Sequence, residues 1–318
     1  MKKQGSTMIA FALVACTTLF AMSAQAYDIK WGTAPVGGVW GVLGNAMIED
    51  VMHANPSWKA SASPVGGAAN VIGLGGGQLN IAFSFSDSAN DAWEGREFFS
   101  KGKLHNIRAL CSLFPEPTQF AVYADSGITA VPQLKGKKVT PGPKGSAIEV
   151  VTRRILGEYG LTYKDMGVQM IGFEDGAQLM IDNHIDAILY GAMIYPAPSL
   201  INVNSHRPIR LLSLTDEVIN NMVQKYKGMI PYTLAPDSYK GVNYPVKGIA
   251  ANVVILVRED MPDDVVYSIT KAIATNFDRY KTFARAMGMV KVTDMPKEAG
   301  IAFHPGALKY YKERGWIK

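Results

Sequence analysis

The chain has 318 residues, with 32 Lys plus Arg against 27 Asp plus Glu and a formal net charge of +5. So slight a basic excess, without clustered Lys/Arg, excludes a nucleic-acid footprint. Two cysteines exclude a disulfide framework. The five histidines (His53, His105, His184, His206, His304) show no metal-ligand spacing and no link to a serine elbow, so no metal, cofactor or catalytic residue is expected.

Residues 1–26 read as a cleavable signal segment. Lys2 and Lys3 give a basic start, "MIAFALVACTTLFAM" is an apolar run too short to span a bilayer, and "SAQA" offers a small-residue cleavage site before Tyr27. Cleavage before Cys16, as in a lipoprotein, is disfavoured because "TTLFAM" continues the apolar run. Removal of the leader leaves a periplasmic chain of about 290 residues, enough for one large domain or two of ordinary size. Cys111 in "IRALCSLF" is then the one remaining cysteine and reads as a small buried hydrophobe in a strand.

Taken in order, "YDIKWGT" predicts a strand, and Val39, Leu43, Met47 and Val51 line one face of the helix that follows. "WKASASPV" and "NIAFSFS" predict strands around a short Gly-rich helix; "IRALCSLF", "QFAVYAD" and "GKKVTPG" follow as strands. A helix runs from Ser146 to about Tyr159, then come strand "VQMIGF", helix "FEDGAQLMIDN" and strands "DAILYGA", "PIRLLSL" and "GIAANVVILV". Residues 263–285 and 305–314 predict helical segments. Alternation of this kind predicts an α/β chain with a parallel or mixed sheet covered on both faces.

One internal echo stands out. Leu79-Asn80-Ile81 and Ile185-Asp186-Ala187 each lead from a helix end into a buried strand, which suggests two α/β lobes of like grammar with a cleft between them.

Three Gly/Ser/Thr-rich turns, 32–41, 63–73 and 140–150, each lie where a strand runs into a helix. Ligands of open α/β sheets collect at such corners. Free N–H groups and the positive end of the helix dipole suit an anion there. "GPKGS" (Gly142–Ser146) has the wrong spacing for a nucleotide phosphate loop. Thr33, Asn70 and Ser146 add side-chain donors. Asp87 reads as a helix cap or a ligand contact, and Trp31, Trp40, Phe85 and Tyr190 as pocket wall or core. Arg153 and Arg154 read as surface residues, or as partners of Glu149.

These stretches together make the chain resemble the extracytoplasmic solute receptors of TRAP transporters, TAXI branch. The matching segments are "GTAPVGGVWGVLG", "PVGGAANVIGLGGGQLNIAFSFSD", "DSGITAVPQLKGKKVTPGPKGSAIEVVTRRILGEYGL", "IDAILYGAMIYPAP" and "HPGALKYYKERG". The resemblance implies a two-lobed type II periplasmic-binding-protein fold with the ligand cleft between lobes: 27–117 and 246–318 in one, 118–245 in the other. It implies a receptor, not an enzyme, that hands a small carboxylate to TRAP membrane permease subunits. Carried over residue by residue, it implies ligand contacts from Thr33, Gly38 and Trp40; Gly67 and Asn70; Ser86 and Asp87; Gly145, Ser146 and Ala147; and Tyr190, with Lys144 as a countercharge. Phe85, Trp40 and the Gly-Ser-Ala of the third loop depart from the usual pattern and point away from glutamate, toward a more apolar or differently shaped solute. An ABC-importer binding protein and a secreted α/β enzyme are the alternatives; the enzyme would need a nucleophile–base pair or metal cluster that the sequence does not offer.

Overall fold

The computed structural model describes residues 26–34 and 39–318. Most of the signal segment, together with Gly38 of the first loop, lies outside them. In chain order the elements are β1 (Asp28–Gly32), α1 (Val39–Ala54), β2 (Lys59–Ser63), α2 (Gly67–Gly75), β3 (Ile81–Phe85), α3 (Ser86–Glu94), β4 (Ile107–Pro117), β5 (Gln119–Tyr123), β6 (Lys138–Thr140), α4 (Ala147–Glu158) and β7 (Gly167–Val168). They continue as α5 (Phe173–Ile181), β8 (Ala187–Tyr190), α6 (Pro198–His206), β9 (Ile209–Leu211), α7 (Asp216–Lys225), β10 (Met229–Leu234), β11 (Val246–Arg258), α8 (Asp263–Thr275) and α9 (Pro305–Glu313).

The strands form two sheets. In the first, β1 lies between β2 and β3, all parallel, and β3 pairs antiparallel with β11. β11 carries β4 on its other edge, and β10 pairs with its first half. The second sheet runs β7-β6-β8-β5-β9, with β6 parallel to both neighbours and β5 antiparallel to β8 and β9. The predicted α/β alternation is therefore present, divided between two sheets. Cys111 is buried in β4, as its apolar setting predicts.

Three expectations need correction. Of "VQMIGF" (168–173) only Val168 is in a strand, the two-residue Gly167–Val168. The predicted 263–285 helix stops at Thr275 and gives way to 3-10 turns over Phe277–Thr282 and Arg285–Met289. The sequence reading also left out α6, α7 and β10. β10 reads poorly because Pro231 interrupts its six-residue stretch, MIPYTL, whose apolar residues follow no strict period-2 alternation.

The echo has a shared physical basis. Asn80 Oδ1 accepts the Lys30 N–H at 2.8 Å, and Asp186 Oδ2 accepts the Lys138 N–H at 2.8 Å. The backbone reciprocates: Asn80 N donates to Lys30 O, and Asp186 N to Lys138 O. In each sheet an amide or carboxylate just ahead of an incoming strand pins it to its parallel neighbour, β3 to β1 and β8 to β6.

β4 and β5 join the two sheets with Thr118 alone between them. Thr118 Oγ1 reaches Gly191 O (2.9 Å) and Ile249 O (3.1 Å), so one hydroxyl ties the crossing to both sheets. Next to it, Gln119 Nε2 donates to Met193 O and its Oε1 accepts from Tyr239.

Candidate functional site

Parallel strands place their carboxyl ends on one edge, and the helix after each strand starts there. In the first sheet that edge carries the starts of α1, α2 and α3. In the second it carries the starts of α4 after β6 and α5 after β7, and the 191–197 segment after β8. α3 and α4 are in contact along their length: Arg154 of α4 lies 3.7 Å from Asp87 in the first turn of α3, and a side-chain carbon added at Gly145, in the loop before α4, would lie 3.8 Å from the ring of Phe98, past the far end of α3.

The first-sheet corners are knitted by Asn70. Its Nδ2 donates to Thr33 O (2.9 Å) and Phe83 O (3.1 Å), and its Oδ1 accepts from Gly66 N (3.0 Å). Thr33 is buried, and its N–H donates to Ser63 O. The side chain of Asn70 is thus occupied in holding three corners together. Gly67, at φ +56, faces open space and keeps the start of α2 accessible.

Trp40, in the first turn of α1, stacks on Phe83 (centroids 5.8 Å apart) and tilts against Phe85 (5.0 Å). It is 8% exposed and packs with Phe85 into the main hydrophobic core at this edge. Ser86 lies deeper. Its hydroxyl donates to Gly228 O (2.5 Å) and accepts from Asn252 N (2.9 Å). It fills the seam where β3 ends and β10 begins beside β11.

In the third loop, Lys144 and Gly145 are exposed. Ser146 is the N-cap of α4, its Oγ accepting from Glu149 N at 3.2 Å, and Ala147 opens the helix. Gly145 has φ +72, a conformation that favours glycine. Tyr190 is fully buried, with its OH on Ser199 Oγ (3.1 Å) and Phe173 O (3.4 Å). That is a core position, one side chain removed from the loops.

Asp87 is not a cap: the N-cap position of α3 is Phe85, and Asp87 lies inside the first turn. It belongs to a buried charge cluster built on Arg154, which reaches over from α4. Arg154 Nη2 contacts Asp91 Oδ2 (2.7 Å) and Glu97 Oε1 (3.2 Å), and Nη1 lies 3.7 Å from Asp87 Oδ2. The guanidinium stacks on Tyr226 at 4.2 Å. Burial pushes the Asp87 carboxyl up to about 6; Arg154 opposes the rise and Asp91 adds to it. Asp87 Oδ1 and Arg154 Nε and Nη1 are enclosed without hydrogen-bond partners among the described residues.

The surface reading of Arg154 is therefore corrected: its side chain is 2% exposed. Arg153 does pair with Glu149, at 3.4 Å, and more closely with Glu97, at 2.7 Å. Helical phase alone could not reveal that α4 packs its arginines against acids on α3 and the turn after it. His184 is exposed, as expected of a helix-ending turn.

Thr33, Trp40, Gly67 and Asn70 thus gather on the first edge, with Ser86 and Asp87 below it, and Lys144, Gly145, Ser146 and Ala147 on the second. Two described cavities, of about 450 and 410 Å³, are lined by other residues, among them Asn90, Lys227, Asn252 and Lys297. Among the described residues no group of His, Cys, Asp and Glu could hold a metal ion.

Solved structures share this architecture. PhnD1 from Prochlorococcus marinus, in complex with methylphosphonate, superposes with a TM-score of 0.54 at 11% identity over 91% of this chain and 99% of that one. A TctC solute binding protein from Polaromonas gives 0.53 at 17% identity over 91% and 95%. The periplasmic aliphatic sulphonate binding protein SsuA from Escherichia coli gives 0.50 at 14% over 90% and 78%. The fold is accordingly the two-lobed α/β type II fold of periplasmic solute-binding proteins. Residues 31–315 match the NMT1-like family, and on that span the chain belongs to it.

Proposed function

We propose that the protein is the extracytoplasmic receptor of a TRAP-type secondary transporter, which captures a small organic acid and delivers it to the membrane permease. The reading rests on the helix starts that follow the parallel strands of each sheet at their carboxyl ends, with the aromatic rings of Trp40 and Phe85 packed beside those of the first. Helix starts offer N–H donors and partial positive charge to a carboxylate, and the aromatic rings accept its carbon skeleton.

In this reading the signal segment is removed and the chain works in the periplasm. The lobes are 27–117 with 246–318, and 118–245, with β10 of the latter reaching back to β11. Thr33, Gly38, Trp40, Gly67, Lys144, Gly145, Ser146 and Ala147 touch the solute, while Asn70, Ser86, Asp87 and Tyr190 hold the walls. Closure brings contacts from both lobes to the ligand, so binding favours the closed form. A hydrogen bond to a charged group contributes about 1.5–3 kcal/mol. Three or four of these, less ordering costs, support micromolar affinity at about −8 kcal/mol.

A thermal-shift screen tests the proposal on protein stripped of ligand by unfolding and refolding, using mono- and dicarboxylates, 2-oxo acids, amino acids, aromatic acids, alkanesulfonates and methylphosphonate. Acids should raise Tm while the matching primary amides do not. A response confined to sulfonates or phosphonate would replace the carboxylate, and turnover of any bound acid would replace the receptor by an enzyme. Uptake into vesicles containing the permease should follow an imposed ion gradient without ATP; a strict ATP requirement would favour the ABC alternative.

A further inference from the structure

β4 is apolar almost throughout, yet its penultimate residue is Glu116, 6% exposed. Among the described residues its carboxyl forms no ion pair or hydrogen bond, and unlike Asp87 Oδ1 its oxygens are not fully enclosed. Burying a carboxylate without a partner is costly, so such a group marks a function or adopts its neutral form.

Strand register locates it. Glu116 lies opposite Ala251 on β11, and Ala251 lies opposite Met229 on β10. Two residues along β11, Val253 lies opposite Phe85, the last residue of β3. Opposed residues of antiparallel strands share a face, as do residues two apart. Glu116 therefore stands on the Phe85–Trp40 face, just past the carboxyl end of β3. On its other side, Met193 N donates to Pro117 O and Thr118 Oγ1 to Gly191 O, which brings up the segment after β8. Glu116 thus sits on the crossing, between the two edges that carry the helix starts.

Among the described residues no charged group forms an ion pair with it. β5 and β10 carry none. Arg108 of β4 pairs with Glu259, Lys247 and Arg258 of β11 pair with Asp216 and Asp260, and Asp263 of α8 faces His304. Asp264 of α8 acts on Tyr27, and Lys271 is exposed. Arg285, on the turn beside β4, is felt at Tyr195. Burial alone pushes the Glu116 carboxyl up to about 8.

We infer that Glu116, in its protonated form, donates a hydrogen bond to the anionic head of the bound solute and makes capture of the acid proton-linked. This rests on the acid-receptor reading and deepens it: helix N–H groups take part of the carboxylate, and a neutral carboxylic acid takes the rest. Ionised Glu116 would repel the same ligand, so affinity follows the protonated fraction. That fraction is high at pH 7, is about half at pH 8, and falls by nearly tenfold per pH unit above about 9.

The test compares wild type, Glu116→Gln and Glu116→Leu by calorimetry at pH 6.5–9.5. The probes are propionate, succinate, 2-oxoglutarate and glutamate, with ethylamine as a cation. Expected results are wild-type affinity falling about fivefold between pH 8 and 9, a pH-independent affinity for Glu116→Gln within threefold of wild type at pH 7, and weak binding by Glu116→Leu. Ligand-free protein labelled with 13C at Glu carboxyls should show the Glu116 signal, assigned by its loss in Glu116→Gln, titrating above pH 7. A midpoint below 6 overturns the inference whatever binds. Acid binding that is flat in pH, or loss of binding in Glu116→Gln with capture of ethylamine by wild type, overturns it while leaving the receptor. Failure of wild type to bind any of the four acids, together with no response to any carboxylic acid in the thermal-shift screen, overturns the acid receptor itself.

Discussion

Asp87→Asn should stabilise the protein at pH 7.5 relative to its effect at pH 4, by about 3 kcal/mol. The Asp87 carboxyl sits at about 6 instead of 3.8, because burial outweighs the help from Arg154 at 3.7 Å. At about 1.4 kcal/mol per pKa unit, ionising it in the fold costs about 3 kcal/mol. The sign follows from linkage. A carboxyl whose folded pKa lies above its unfolded value contributes stability below the unfolded pKa, and that stability is lost as pH rises through the folded pKa. Asparagine has the same shape and never ionises, so it escapes the loss. Urea unfolding of both proteins at half-unit steps from pH 4 to 7.5 reads the difference, which should grow between pH 4 and about 6 and then level off. A difference constant across that range, or one that shrinks as pH rises, would show that Asp87 ionises at no cost and that the Arg154 cluster compensates it fully.

Arg154→Met should cost about 3–5 kcal/mol in urea unfolding at pH 7.5, since Asp91 and Glu97 lose their shared cation inside the protein; a loss under 1 kcal/mol would mean that water already screens the cluster. Asn80→Ala should cost about 1 kcal/mol and Asp186→Ala about 1.5–3, the charged acceptor being worth more. The Lys30 amide should exchange faster in the first variant and the Lys138 amide in the second, and unchanged exchange would rule out the strand-pinning role.

Much of the fold was legible because its signals are local. Alternation of apolar runs with helical periods announced the α/β chain, and Asn80 and Asp186 announced equivalent strand entries before their shared bond to the neighbouring strand was visible. The strand-to-helix corners were legible through glycine and small polar residues. What sequence could not show is which side chains those corners use up. Asn70 and Ser86 resemble ligand donors until their partners, Thr33 O, Phe83 O, Gly228 O and Asn252 N, are known. Tyr190 resembles pocket wall until its strand proves to be buried within the second sheet. Arg154 and Asp87 depend on a contact between residues 67 apart, which no periodicity encodes. Glu116 did have a signal, a lone acid in "CSLFPEPTQF", but its meaning required the strand register.

The seam at Ser86 bears on how the molecule can bend. β3 stops and β10 starts against the same edge of β11, and one hydroxyl spans the junction. Among the described strands only β11 and β4 continue past that line, and their register shifts there, between Asn252 and Val254. A twist there would have to be taken up by a two-stranded ribbon, whereas β1, β2 and β3 are held together as a parallel block. Any solute that draws the two halves together would work against a spring whose stiffness is set by those two strands and by the short Ser86 bonds beside them.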